Sequence, residues 1–392
     1  MTLPKFKLTK SYKIWLGIGL FLAAVGTRCV FLNLIPTAFS HDELAYLINA
    51  VSVAVSGVGR YGDWSPLSLK PVEASLAELP TLFLAGFFKL PFGPMIDGRL
   101  LPVLMSLTLP FLVASISWSL FKSRRAAEFS WALALFNPWI WQNGRLTFDI
   151  PISLWCYVLG VAIFLRFQSW KKLLALMPFW LGFYSYQGFK LILPFICLNL
   201  SLFTWLEQKP EWGIWKKLRN WKKLGPGLIT SLFGIGLLSY YLIFQFNAQT
   251  ASQTRIANQI ITPQSQVVSE AVNTDRRLAL LTPINNLFIN KYAQTVKEIV
   301  GRYLLVFNGR ELFYEISASN SPFAVWNHGP FYLIDALLIA VGIIALIQRR
   351  QISGLLLLGG LGLTGVIPAV LNQSIWLYFR PSFLFPLLLI TA

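Results

Sequence analysis

The sequence predicts an all-α polytopic membrane protein, and three observations predict it. The 392 residues are 55% hydrophobic and only 12% charged, with a mean hydropathy of +0.59, outside the usual composition of soluble domains. Apolar runs long enough to cross a bilayer recur along the whole chain. Between them, Lys and Arg collect in short clusters in every second connection. The net charge of +17 is therefore a matter of topology and not of nucleic-acid binding, because no basic soluble face carries it.

Taken in order, ten spans are predicted, at roughly 14–34, 100–120, 127–142, 150–166, 173–186, 188–206, 226–246, 328–347, 352–371 and 377–392. The first follows a basic N-terminus and has no clear small-residue cleavage site, so it reads as a retained anchor. Placing that N-terminus in the cytoplasm puts Lys122, Arg124 and Arg125, then Arg166, Lys171 and Lys172, then the cluster from Lys209 to Lys223, then Arg349 and Arg350, on the same side. Asp42, Glu43, Asp63, Glu73, Glu78, Asp97 and Asp149 then fall on the outer side. Within the single transmembrane unit 1–392, two outer loops are long, 35–99 and 247–325. Long loops with helical apolar patterns of their own are usually functional.

The first outer loop opens with Ser40-His41-Asp42-Glu43. Ser40 with Glu43 three residues on, ahead of Leu44, Leu47, Ile48, Val51 and Val55, is a capping-box signature for an amphipathic helix. Asp42 falls in its first turn, where free backbone N–H groups favour an ionised acid, and Tyr46 shares its face. Further along, a broken apolar segment, 74–90, is expected to lie along the membrane interface. In the second loop, 286–306 reads as one amphipathic helix with Leu287, Tyr292, Val296, Ile299 and Val300 on its apolar side. Asp335 is the acid placed well inside a span, where a helix-helix hydrogen bond is its ordinary use. Cys29, Cys156 and Cys197 match neither a metal spacing nor a disulfide framework. His41 and His328, both on the outer side, could join carboxylates at a divalent metal, but they are far apart in sequence and make a poor metal signal, so the expectation is no cofactor with a divalent metal as the alternative.

The acid pair after the first span, Lys70-Pro71 in the same loop, Gly98-Arg99 opening the second span, and Arg145 with Asp149 between the third and fourth resemble the GT-C glycosyltransferases. The closest resemblance is to the bacterial branch of protein O-mannosyltransferases and aminoarabinose transferases. Tyr186-Gln187-Gly188-Phe189-Lys190 running to Pro194, and Arg380 running to Pro386, are similar to that branch as well. The chain departs from the pattern where Lys70 is followed by Pro71-Val72 in place of two prolines.

The resemblance implies transfer of a sugar from a polyprenyl-phosphate donor to a protein, lipid or glycan acceptor, by a multi-pass protein of the plasma (inner) membrane with its site facing outward. Displacement at an anomeric carbon needs a carboxylate to take the acceptor proton, and a departing phosphate needs cations or N–H donors in place. Asp42 and Asp149 are the candidate catalytic acids. Glu43, Tyr46, Lys70, Arg99, Arg145, Tyr186 and Arg380 are the candidate substrate-binding residues. Individually, each cation also fits an interface-snorkelling side chain, and Asp149 also fits an ion-pair partner of Arg145 four residues away. A transporter or flippase of a lipid-linked precursor is the rival reading, and a non-catalytic scaffold the third.

Overall fold

The structure, a computed structural model, describes residues 10–36, 39–62, 77, 79–88, 90–208, 221–247, 260–279, 282–315, 325, 328–372 and 379–392. Among these, regular structure is helical apart from one isolated antiparallel bridge between Ile260 and Asn372. In chain order the helices are α1 (Lys10–Cys29), α2 (His41–Ser56), α3 (Pro80–Phe87), α4 (Pro94–Phe121), α5 (Arg124–Phe136), α6 (Pro138–Asn143) and α7 (Asp149–Arg166). After a 3-10 segment (Ser169–Ala175) come α8 (Leu176–Phe183), α9 (Gln187–Lys190), α10 (Leu193–Leu206) and α11 (Trp221–Asn247). Next are α12 (Gln266–Leu278), α13 (Pro283–Phe288), α14 (Lys291–Val306), α15 (Gly309–Phe313), α16 (Leu333–Gln348), α17 (Ile352–Val370) and α18 (Leu384–Thr391). The protein is a multi-pass membrane protein of the all-α class.

Four stretches, Ile96–Phe121, Asp149–Arg166, Leu224–Ile243 and Ile352–Val370, are long and apolar enough to cross a membrane unaided. Ile14–Cys29, Leu193–Leu206 and Leu333–Gln348 are shorter apolar helices. The expected span 127–142 is broken instead. Pro138 cannot donate to the α5 ladder, and the Asn137 side chain caps a new helix by accepting from the Ile140 N–H at 3.0 Å.

The largest core surrounds α7, whose residues are mostly buried. Lipid is as apolar as Leu, so helices associate through close packing and not through exclusion of water. Gly160 allows that approach, since a Cβ there would land on the Phe179 ring of α8. Tyr157 stacks on Phe189 with ring centroids 5.7 Å apart and donates to the Phe189 carbonyl at 3.0 Å. Between α10 and α11, Ser201 bonds the Gly227 carbonyl and lies 2.7 Å from the Ser231 hydroxyl, a small-residue seam.

Two expectations are corrected. Residues 286–306 are not one helix, because the chain breaks at Ile289 and the Asn290 side chain caps α14 by accepting from Ala293 N–H at 2.9 Å. Asp335 sits in the first turn of α16, where it accepts from the Tyr332 N–H at 2.9 Å, and not at mid-span. Of the segment 74–90, the helical part is Pro80–Phe87, and its Thr81, Leu84 and Ala85 are buried against α2 and α4.

Candidate active site

The predicted capping box is present. Ser40 Oγ accepts from the Glu43 N–H at 3.3 Å, and Glu43 Oε2 accepts from the Ser40 N–H at 3.0 Å. Gly57 closes α2 with φ +76°, a left-handed cap that suits glycine. Seven residues into the helix, Leu47 packs over α4 at Gly98, where a Cβ would land on Leu47 Cδ2. Gly98 thus lets the acid-bearing helix lie against the start of α4.

Glu43 is fully buried and spends its second oxygen on the chain far ahead, with Oε1 accepting from the Thr147 N–H at 2.8 Å. Thr147 also donates its hydroxyl to the Gly98 carbonyl at 3.1 Å, so one residue ties α2, α4 and the α6–α7 connection together. Burial pushes the Glu43 carboxyl pKa up, opposed by the Ser40 and Thr147 N–H groups and by the charge of Arg99. Its placement is that of a structural acid.

Tyr46 is also fully buried. Its hydroxyl donates to Asp149 Oδ2 at 2.9 Å and accepts from the Ala77 N–H at 2.8 Å. Burial raises its pKa well above the ordinary phenol value, and the negative charges of Asp149 and Asp42 raise it further. Both candidate catalytic acids therefore act on one phenol. They differ in access: the Asp42 side chain is 45% exposed, next to His41 at 3.8 Å, whereas Asp149 is buried at the start of α7. Two residues beyond Ala77, the Leu79 N–H donates to the Tyr184 carbonyl at 3.1 Å, which joins the same rim to the turn carrying Tyr186. Tyr186 packs edge-on against Phe189, with centroids 5.0 Å apart. Arg380 is brought in from the end of the chain, because its neighbour Phe379 packs on Phe148, the residue before Asp149, with centroids 6.0 Å apart.

The arginines of α4 and of the α6–α7 connection are less free than their positions in sequence imply. Arg145 gives Nη1 to the carbonyls of Thr27 (3.0 Å) and Arg28 (2.8 Å), and Nη2 to those of Val30 (2.9 Å), Phe31 (3.1 Å) and Ile35 (3.0 Å). It caps the open C-terminal carbonyls of α1 in place of pairing with Asp149. Burial, then the nearby charge of Arg99, pushes its pKa down. Arg99 likewise donates to the carbonyls of Leu32 (2.7 Å) and Pro36 (3.1 Å) and lies over the Phe39 ring. Lys70 lies outside the described residues. Sequence reasoning missed Thr147 and Arg28, which donates to Ser106 Oγ (3.1 Å) and the Leu135 carbonyl (2.8 Å); nothing local marks either residue. Asp97, expected on the outer side, is buried in the first turn of α4. Among the described residues, no group of three His, Cys, Asp or Glu side chains is close enough to hold a metal ion.

An all-helical membrane bundle with two acids converging on a buried tyrosine at one end of the bundle is the class that fold and site define. Solved structures similar to the chain include the Archaeoglobus fulgidus oligosaccharyltransferase tethered to an acceptor peptide containing the NVT sequon, with 14% identity, a TM-score of 0.48, and 97% of this chain against 50% of that one. The oligosaccharyltransferase AglB from the same organism, in complex with an inhibitory peptide and a dolichol-phosphate, gives 13% identity, a TM-score of 0.47, and the same 97% and 50%. The chain spans about half the length of these structures. No protein-family model matches it, and no curated protein sequence does.

Proposed function

We propose that the protein is a GT-C-type glycosyltransferase that moves a sugar from a polyprenyl-phosphate donor to an acceptor hydroxyl at the outer face of the plasma membrane. The observation that carries this reading is the division of labour among three acids on one rim. Glu43 is buried and holds Ser40 and Thr147, Asp149 is held by Tyr46, and Asp42 alone is half-exposed beside them.

In the reaction, the acceptor oxygen attacks the anomeric carbon as the bond from that carbon to the phosphate oxygen breaks. The acceptor proton passes to the Asp42 carboxylate, and the polyprenyl phosphate leaves. Asp42, in the first turn of α2, presents a half-exposed carboxylate to the acceptor. Asp149, held by the Tyr46 hydroxyl, is suited to orient sugar or acceptor. Arg380, buried beside Phe379, is the candidate cation for the leaving phosphate. Arg99 and Arg145, whose donors meet backbone carbonyls, contribute positive field and hold the rim in shape. Tyr186 offers a ring edge to sugar, and Lys70 remains the candidate second phosphate ligand of the first loop.

The test is transfer of radiolabelled sugar from polyprenyl-phosphate-sugar donors to a mixed acceptor extract by detergent-purified protein. Asp42→Asn is expected to lose about 10²–10⁴-fold in rate, the usual worth of a general base. Equal transfer by both forms overturns the assignment of the base. Donor binding with no transfer by either form favours the transporter or scaffold reading.

A further inference from the structure

The α13–α14 stretch is amphipathic in the reverse sense to a water-soluble helix. On α14, Tyr292, Val296, Val300 and Leu304 recur every four residues, a row that drifts by only about 40° per step, and all four are half-exposed or more. Ile284 and Phe288 of α13 are equally exposed. The polar side faces inward: Gln294 and Thr295 are buried, Arg302 bonds the Asn372 carbonyl at the end of α17, and Glu298 lies 3.8 Å from Arg302. In water a helix packs its apolar face on the protein and shows its polar face, so an apolar row of this length left outward marks an interaction surface.

We propose that α13 and α14 lie in the lipid leaflet on the α2 side of the membrane, with this row immersed in the acyl-chain boundary. Two further observations select lipid as the occupant. The row adjoins a membrane-crossing helix at its lipid face, because α14 packs on α17, where Leu356 and Leu363, two turns apart on one side, are both over half exposed. The depth also fits. The Tyr303 hydroxyl reaches to 3.5 Å from the carbonyl of Leu363, seven residues before the end of α17 at Val370. At a rise of about 1.5 Å per residue this is about 10 Å before the helix end, so with the end of α17 at the membrane face α14 sits at the depth of interfacial helices, about 5–10 Å. Exposed Lys297, on the edge of the row, is placed to meet lipid phosphate. The inference stands whether or not the protein transfers sugar.

The test is site-directed spin labelling of the full chain in vesicles of phosphatidylcholine and phosphatidylglycerol, in a Cys29→Ser background, since Cys156 and Cys197 are buried. Labels at Val296→Cys and Val300→Cys are compared with Leu337→Cys, exposed on apolar α16, and Asn273→Cys, exposed on α12. The ratio of oxygen to nickel-chelate accessibility at 296 and 300 is expected to match that at 337 and to exceed that at 273 severalfold. A ratio equal to that at 273 overturns the proposal by placing the row in water. Low accessibility to both quenchers overturns it as well, by showing a protein partner or a second copy on this face.

Discussion

Tyr46→Phe tests the centre of the site while leaving its shape almost unchanged. The ring keeps its packing, and the single atom removed serves two partners, Asp149 Oδ2 at 2.9 Å and the Ala77 N–H at 2.8 Å, in a fully buried position. A hydrogen bond to a charged group is worth about 1.5–3 kcal/mol, and a buried N–H left without an acceptor costs about 1–3 kcal/mol. The variant is therefore expected to lose about 2.5–6 kcal/mol of stability. The assay is equilibrium unfolding in mixed micelles, combined with Asp149→Ala and the double variant. The coupling energy between positions 46 and 149 is expected at about 1.5–3 kcal/mol, in the range seen for contacting polar pairs. A loss below about 1 kcal/mol with no coupling would refute the reasoning, since the phenol would then not be the link between α2 and α7.

Arg145→Gln is expected to destabilise by on the order of 3 kcal/mol, because the C-terminal carbonyls of α1 lose their charged donor; Arg145→Lys, with three donors, should recover part of this in the same unfolding assay. Asp42→Asn should unfold within about 0.5 kcal/mol of wild type, since the half-exposed carboxylate holds no buried partner, so that any loss of transfer reports chemistry. For Glu43 the sign follows from a folded pKa raised above 4.5: its contribution is fully present below the unfolded value and is lost as pH rises through the raised one. Stability of wild type relative to Glu43→Gln should accordingly fall as pH rises from about 4, and a difference that stays flat or rises would contradict a desolvated carboxyl. Chelation with EDTA should leave transfer unchanged; a loss restored by a divalent cation would assign a metal that the proposed reaction does not use.

Local patterns were legible where their cause is local. The capping box needs only Ser40 and Glu43 three residues apart, and both of its hydrogen bonds form. The apolar runs became helices because a bilayer leaves the backbone no other way to satisfy its N–H and C=O groups. Boundaries slipped where a short-range signal was underweighted, as at Asn137-Pro138 and Asn290, both of which restart helices. The arginines show the limit. A guanidinium near a membrane face has the same sequence signature whether it awaits a phosphate or caps a helix, and only coordinates assigned Arg145 to the carbonyls of residues 27–35.

By itself the sequence determined the all-α membrane class, the alternation of basic and acidic connections, and the stretch where α2 begins with its acids. These follow from hydropathy, charge and caps, all properties of residues close along the chain. The tertiary structure alone decided which of these acids keeps a half-exposed side chain. Glu43 meets Thr147 across 104 residues and Tyr46 meets Asp149 across 103, and those pairings hold both acids in place at the site while the Asp42 side chain stays half-exposed. Burial and long-range pairing depend on how α2, α4 and α7 pack together, and no spacing within one segment encodes that.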